Sequence, residues 1–215
     1  NKLTGLFVSS GATLQVKDSN GRLTPWGDVR AKQIWEKPMV VMVDRYSASA
    51  SEIFAGAIQD YQRGIIIGQK TFGKGTVQKL DDLSSGQIKI TESKFYRITG
   101  AGMQSKGINP DITLPSTWDI EEIGESSYDT ALPWDEIKPI RFQKFSMESS
   151  IISQLNDEHL IRVNQSPNLQ YILDIRKRYE VQKNKKVLSL NLKNRMIEKK
   201  DRQSWALDIE NKRRA

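Results

Sequence analysis

Pro38-Met39-Val40-Val41-Met42-Val43-Asp44-Arg45-Tyr46-Ser47-Ala48-Ser49-Ala50-Ser51-Glu52-Ile53-Phe54 is the stretch that decides the fold class. Met39–Val43 is a continuous apolar run of strand length, the pattern of a strand buried on both faces of a parallel sheet. Small and hydroxyl-bearing residues follow, and Ser49 or Ser51 can cap the start of a helix. Ile53, Phe54, Ala57, Ile58 and Tyr61 then fall at helical spacing until Gly64. Ile65-Ile66-Ile67 repeats the buried-strand pattern. Strand, serine turn, helix, strand is an α/β unit.

Working outward, residues 12–17 alternate like a strand, and Asp18-Ser19-Asn20-Gly21 supplies an Asn-Gly turn to a second short strand. After Gly75, Thr76–Leu80 reads as extended, and residues 87–98 alternate as a longer strand. Ile108–Pro115 is punctuated by proline and reads as an edge or loop. Residues 116–130 carry Asp119, Glu121, Glu122, Glu125 and Asp129 with little periodicity, the pattern of an acidic surface linker. Ala131-Leu132-Pro133-Trp134 is an apolar anchor after it. Beyond Phe145 the pattern is helical: Ile151, Ile152, Leu155 and Ile161 form one stripe, and Ser166-Pro167 opens another helix. Leu188, Leu190 and Leu192 have period two, which predicts a short strand. Residues 193–215 form a highly charged helix. The expected division is a partial catalytic core over 1–115, a linker over 116–135 and a basic, mostly helical extension over 136–215.

The charge is unevenly placed. Of 33 Lys+Arg and 26 Asp+Glu, residues 136–215 hold 18 and 10, so the excess belongs to the extension. A basic balance of this kind fits either a solvated helical surface or a nucleic-acid partner. There is no cysteine, which excludes thiolate zinc sites, disulfides and cysteine nucleophiles. No apolar run approaches the roughly 18 residues of a membrane span, and no signal-peptide pattern opens the chain. Asn1–Phe7 reads like the end of an element, so a fragment of a longer protein is expected.

The chemistry-bearing residues are a serine and a lysine. A serine hydroxyl is a weak nucleophile until a base takes its proton. A lysine serves as that base only when neutral, a state that burial favours. Lys74 lies in Thr71-Phe72-Gly73-Lys74-Gly75-Thr76-Val77-Gln78, between glycines that let backbone approach another element closely. Ser49 sits at a helix start, where amides point toward a developing oxyanion. The N–H of Ala50 is the natural local donor. Strand geometry puts Lys74 and Gln78 on one face, so Gln78 can orient the amine. Each half of this pair alone is commonplace. His159, the one histidine, lies in a helical segment with no partner motif and reads as a surface or packing residue.

The stretch from Pro38 to Gln78 resembles the carboxy-terminal processing, or tail-specific, serine proteases of the S41 type. The resemblance rests on PMVVMVDRY, SASASE, Gln59-Asp60-Tyr61 and TFGKGTVQ. It extends to Leu3–Lys17, Lys94–Arg97, Ile108–Ile112, Leu132–Asp135 and Leu188–Asn191, which point to the longer bacterial type with a helical extension. The resemblance implies that Ser49 is the nucleophile, Lys74 the general base and Gln78 its support. It also matches Asp60 to a family position, where a local structural role and a catalytic one both stay open. It implies the later part of a ClpP/crotonase-like core, no metal or organic cofactor, and polypeptide substrates that are unfolded or tagged at the C-terminus. A periplasmic location, an adaptor lipoprotein and peripheral membrane association follow from it in the same way, with no nucleic-acid partner.

Other readings compete. Gly68–Gly75 nearly fits a phosphate-binding loop, but Gly75 lacks the hydroxyl that binds magnesium, and an extended segment follows instead of a helix. A non-catalytic scaffold is the main alternative, and a basic nucleic-acid-binding module rests only on the charge of the extension. The family's PDZ domain and the Gly-rich strand that supplies a second oxyanion amide have no counterpart in these 215 residues. The isolated chain is therefore expected to be inactive or weak against an unfolded protein. A turnover near that of the full-length enzyme would overturn this.

Overall fold

A computed structural model describes residues 2–9, 11–28, 32–119 and 121–215. Helix α1 (Lys2–Gly5) leads into strands β1 (Ala12–Asp18) and β2 (Leu23–Gly27), and then β3 (Val40–Val43). Helix α2 (Ala50–Asp60) connects β3 to β4 (Ile65–Gly68). Strands β5 (Thr76–Asp82), β6 (Gln87–Tyr96) and β7 (Ile112–Thr113) complete the strand-rich part. Three long helices follow: α3 (Ser149–Gln165), α4 (Pro167–Lys183) and α5 (Leu192–Arg214).

The strands form two sheets. One is antiparallel, in the order β2-β1-β6-β5, and the other is parallel, in the order β3-β4-β7. Helix α2 is the crossover between parallel neighbours β3 and β4, the α/β unit read from the sequence. Its apolar side chains face two core clusters. Ala55 and Ile58 pack with Val8, Val43, Tyr61, Ile66 and Ile98, while Ile53 reaches Leu14, Phe95, Met103 and Ile108. Ile58 is fully buried, which contributes roughly 1.5–3 kcal/mol. Gly56 permits the close approach, since a Cβ there would stand 3.1 Å from Ile108 Cδ1 and 3.3 Å from Met103 Cε.

Two local expectations change. The Met39–Val43 run was read as buried on both faces, yet β3 is the sheet edge. Val40 and Met42 are 55% and 73% exposed, because β3 pairs only with β4 among the described residues. The period-two leucines form no strand. Leu188 and Leu190 lie outside any regular element and are exposed, and Leu192 already begins α5. Alternation needs a neighbouring strand to become a ladder, and the described residues offer none there.

The chain divides into two compact units, Asn1–Leu114 with Asp119–Ile152, and Pro115–Trp118 with Ser153–Ala215. Residues 119–152, assigned in the sequence to linker and extension, thus belong with the strand-rich unit. Isolated anchors hold them there without any periodicity. Trp134 Nε1 donates to Gly102 O (2.9 Å), Ile137 N to Gly100 O (2.9 Å), Ile140 N to Ile98 O (3.0 Å) and Phe145 N to Tyr61 O (2.8 Å). Phe142 stands edge-on to Tyr61 at 5.4 Å. Asp135 accepts from Lys94 Nζ (2.9 Å) and Tyr96 Oη (3.0 Å), tying this segment to β6.

In the second unit, Ser166 caps α4 with Pro167 in its first turn, and Asn191 caps α5 through Lys193 N (2.9 Å). Helices α4 and α5 are joined by the Arg178–Asp201 ion pair (2.8 Å) and by Arg178 stacked 4.5 Å from the Trp205 ring. Ile209 is buried in α5 and His159 in α3. Among the described residues, no helix is long and apolar enough to cross a membrane.

Asp135 generates a pH prediction. Burial would raise its pKa, but the hydrogen bonds from Lys94 and Tyr96 and the lysine charge outweigh that and hold it below the usual carboxylate value. A depressed acid contributes stability that is present above its unfolded pKa of about 3.9 and is lost as pH falls through the folded value. Asp135→Asn should therefore lower stability at neutral pH and flatten the loss below about pH 4, read from urea midpoints across pH.

Candidate active site

The turn entering α2 holds its serine in a strained backbone. Ser49, the N-cap residue, has φ 57° and ψ −112°. L-residues rarely adopt positive φ, at a cost of order 1–3 kcal/mol, and surrounding bonds must over-determine such a conformation. Ser49 N–H donates to Glu52 Oε2 (2.8 Å), and Ser49 O accepts from Ile53 N (3.0 Å). The neighbouring serines are engaged locally: Ser47 Oγ donates to Asp44 Oδ1 (3.1 Å) and Ser51 Oγ to Ala48 O (2.8 Å). Both hydroxyls stabilise the turn, which favours Ser49 among the three. The N–H of Ala50, first in the helix, has no acceptor within the helix and points out of its end.

The lysine turn, Thr71–Gly75, is built by close backbone approach. Gly73 has φ 92°, and a Cβ there would meet Ser105 C at 3.0 Å. A Cβ on Gly75 would meet Gln104 N at 2.4 Å. This contact is used: Ser105 N donates to Gly73 O (2.8 Å) and Gly75 N to Gln104 Oε1 (2.9 Å).

One carboxylate joins the two turns. Glu52 is fully buried, and its Oε1 accepts from Thr71 Oγ1 (2.5 Å) and Gly73 N (2.7 Å). Its Oε2 accepts from Ser49 N (2.8 Å) and Lys74 N (2.9 Å). The backbones of the candidate nucleophile and base thus hang on the same oxygen atom. Burial pushes the Glu52 carboxyl up from its ordinary value, and the four donors oppose that. The sequence reading named Glu52 only as the end of SASASE. Its spacing three residues after a serine N-cap was the available signal.

Ser49, Ala50, Lys74 and Gln78 line one cavity of about 530 Å³, with apolar walls that include Leu14, Val16, Trp26 and Phe95. Gln78 lies on β5, but the strand begins at Thr76 and its register shifts between Val77 and Gln78. Lys74 lies before the strand, so simple strand alternation does not relate the two residues. Asp60 is elsewhere, at the far end of an 11-residue helix about 16 Å long. It is buried and receives the Arg97 guanidinium in a fork, with Arg97 Nη2 also donating to Gln59 Oε1 (2.9 Å). Burial raises its pKa against that partner. This geometry gives Asp60 the structural role. A larger groove, about 770 Å³ between α4 and α5, contains none of these residues. Among the described residues, no group of three or more His, Asp or Glu side chains could hold a metal ion.

A serine at a helix start and a lysine turn hung on the same carboxylate oxygen thus line one cavity. Residues 1–114 match Peptidase family S41, and the chain belongs to that family. Residues 118–215 match the C-terminal domain of tail specific protease. The chain is 41% identical over 208 residues to a tail-specific protease of Haemophilus influenzae, covering 91% of this chain and 30% of that protein. It is 46% identical over 80 residues to a carboxy-terminal-processing protease of Bartonella bacilliformis, covering 37% of this chain and 18% of the relative. Among solved structures, a photosystem II D1 C-terminal processing protease is similar at 35% identity and TM-score 0.48, over 52% of this chain and 29% of the other. The chain therefore spans less than a third of the length of these relatives.

Replacing Glu52 by Gln keeps the volume but turns an amide N–H toward backbone donors. Losing charge-assisted bonds of this kind costs about 2–3 kcal/mol. In the full-length protein, Glu52→Gln should lower unfolding free energy by about that amount and kcat by about 100-fold. Denaturant unfolding and peptide turnover measured on the same preparation check both.

Proposed function

We propose that this chain carries the Ser/Lys dyad of a serine endopeptidase that processes or degrades polypeptides selected by their C-terminal ends. The observation that carries the reading is the convergence of Ser49, Lys74 and Gln78 on one cavity, with Glu52 bonded to the backbone of both turns. Ser49 Oγ attacks the scissile carbonyl and forms an acyl-enzyme. Lys74 takes the hydroxyl proton and returns it to the leaving nitrogen. Gln78 orients the amine. Ala50 N–H donates to the tetrahedral oxyanion, helped by the N-terminal end of the α2 dipole. Water then enters from the open side of the cavity, and Lys74 deprotonates it for deacylation. No metal or organic cofactor enters this scheme.

The apolar walls suit unfolded or C-terminally tagged chains, which present apolar side chains and free backbone. Similarity to bacterial tail-specific proteases supports a periplasmic location, with an adaptor lipoprotein and peripheral membrane association as the partners to look for. The basic helices are read as a solvated surface, with some of their charges taken up in ion pairs such as Arg178–Asp201, Lys185–Glu198 and Arg213–Glu210. A non-catalytic scaffold is the second reading, and the intact constellation argues against it.

In the full-length protein, Ser49→Ala should abolish cleavage of an unfolded protein with an apolar C-terminus while leaving the unfolding midpoint unchanged. Retained cleavage would move the nucleophile to Ser47 or Ser51. Lys74→Arg should be equally inactive, because a guanidinium stays protonated. An active Lys74→Arg enzyme would remove the general-base role.

A further inference from the structure

Arg45 is among the largest fully buried side chains, at 1% exposure, and the dyad chemistry does not use it. It lies on the loop between β3 and the serine turn. Its Nη1 donates to Thr71 O, at the head of the lysine turn, and its Nε donates to Ile123 O. Ile123 belongs to the acidic segment that sequence reading treats as a linker. That segment then runs along the lysine turn. Glu125 N donates to Phe72 O (2.9 Å), and the Tyr128 and Phe72 rings stand 6.4 Å apart. Glu125 Oε1 accepts from Gln104 Nε2 (3.0 Å), and the other end of the same Gln104 amide holds Gly75 N (2.9 Å). Contacts therefore reach the turn on both sides of Lys74. Phe72 N also donates to Ser47 O (2.9 Å), so the serine turn, the lysine turn and the segment form one network.

Gly124 supplies the clearance. Its φ is 130°, and a Cβ there would stand 2.1 Å from Arg45 Nη2 and 2.9 Å from Phe72 O. A planar fork answers two carbonyls from separate parts of the chain at once, which a lysine ammonium on a flexible stem does less well.

We propose that Arg45 is a positioning residue for Lys74, acting through a strap, Ile123–Tyr128, that it clamps onto the Thr71–Gly75 turn. Glu52 fixes the turn from the serine side, and the strap fixes it from the opposite side. The proposal rests on the serine/lysine reading above. It adds that activity depends on the seating of a segment carrying none of the dyad residues.

The test uses Arg45→Lys and Gly124→Ala in the full-length protein, singly and together, with Ser49→Ala as the control. If Gly124→Ala fails to fold, Glu125→Ala replaces it, since it loosens the strap without a steric clash. Arg45→Lys should lower kcat at least about tenfold with KM within about twofold, the signature of a displaced base in an intact binding site. The strap variant should do the same, and the double variant should be no worse than the poorer single within about twofold, because both break one coupling. Hydrogen exchange in the Ser49→Ala background should show the amides of residues 71–75 opening faster in Arg45→Lys, with those of β4 and β6 unchanged. That readout needs no turnover, so it separates this proposal from the dyad assignment. Unchanged exchange at 71–75, unchanged kcat, multiplicative losses in the double variant, or loosening spread evenly over the chain would each overturn the positioning role. Cleavage that survives Ser49→Ala would instead overturn the dyad, while the exchange result still decides whether the strap holds the turn.

Discussion

The arrangement depends on the buried carboxylate of Glu52. It stands at the third residue of α2, so the helix fixes where it points. From there it collects donors from both turns at 2.5–2.9 Å. Backbone N–H groups in a buried turn need acceptors, and among the described residues no strand pairs with Gly73 or Lys74 to supply them. Glu52 supplies them from the serine side. The bonds that satisfy the lysine turn therefore also set its distance from the serine. Stability and geometry are the same interaction here.

The strain at Ser49 belongs to this logic. A non-glycine residue at φ 57° persists only when its neighbours leave it no alternative. The Asp44 side chain orders the loop before it, accepting from Tyr46 N and Ser47 N at 2.9 Å. The Glu52 side chain returns to its N–H, and α2 is held by two core clusters behind it. Packing of Ala55 and Ile58 thus reaches the serine through a rigid helix. On the other side, the approach of residues 104–107 to Gly73 and Gly75 is so close that side chains there would collide with backbone. Those glycines serve the turn's fit against its neighbours.

The second unit follows different physics. Helices α4 and α5 bury little, and their surfaces carry ion pairs and arginine–aromatic contacts at 4.5–5.7 Å. Exposed pairs of this kind contribute little stability each. Exposed Val181, Val187, Leu188 and Leu190 remain on these helices and the segment joining them.

Local pattern was enough to read the α/β unit, the serine turn as a helix start, and the capped beginning of α4. Periodicity, small residues and Ser-Pro act over a few positions, and neighbours in sequence settle them. Ser49, Lys74 and Gln78 were named from the sequence through the resemblance of SASASE and TFGKGTVQ to a known family. What the sequence could not give was anything that depends on which element lies beside which. Val40 and Met42 are exposed because β3 pairs only with β4 among the described residues, and Leu190 is exposed because no described strand meets it. Asp60 is bound by Arg97, 37 residues away, and Arg45 by carbonyls 26 and 78 residues away. Residues 119–152 pack with the strand-rich unit through single anchors, which leave no period to detect. Hydrogen bonds and burial across such separations are set by the tertiary fold, and only there do a linker become a strap and a capping glutamate the joint between two turns.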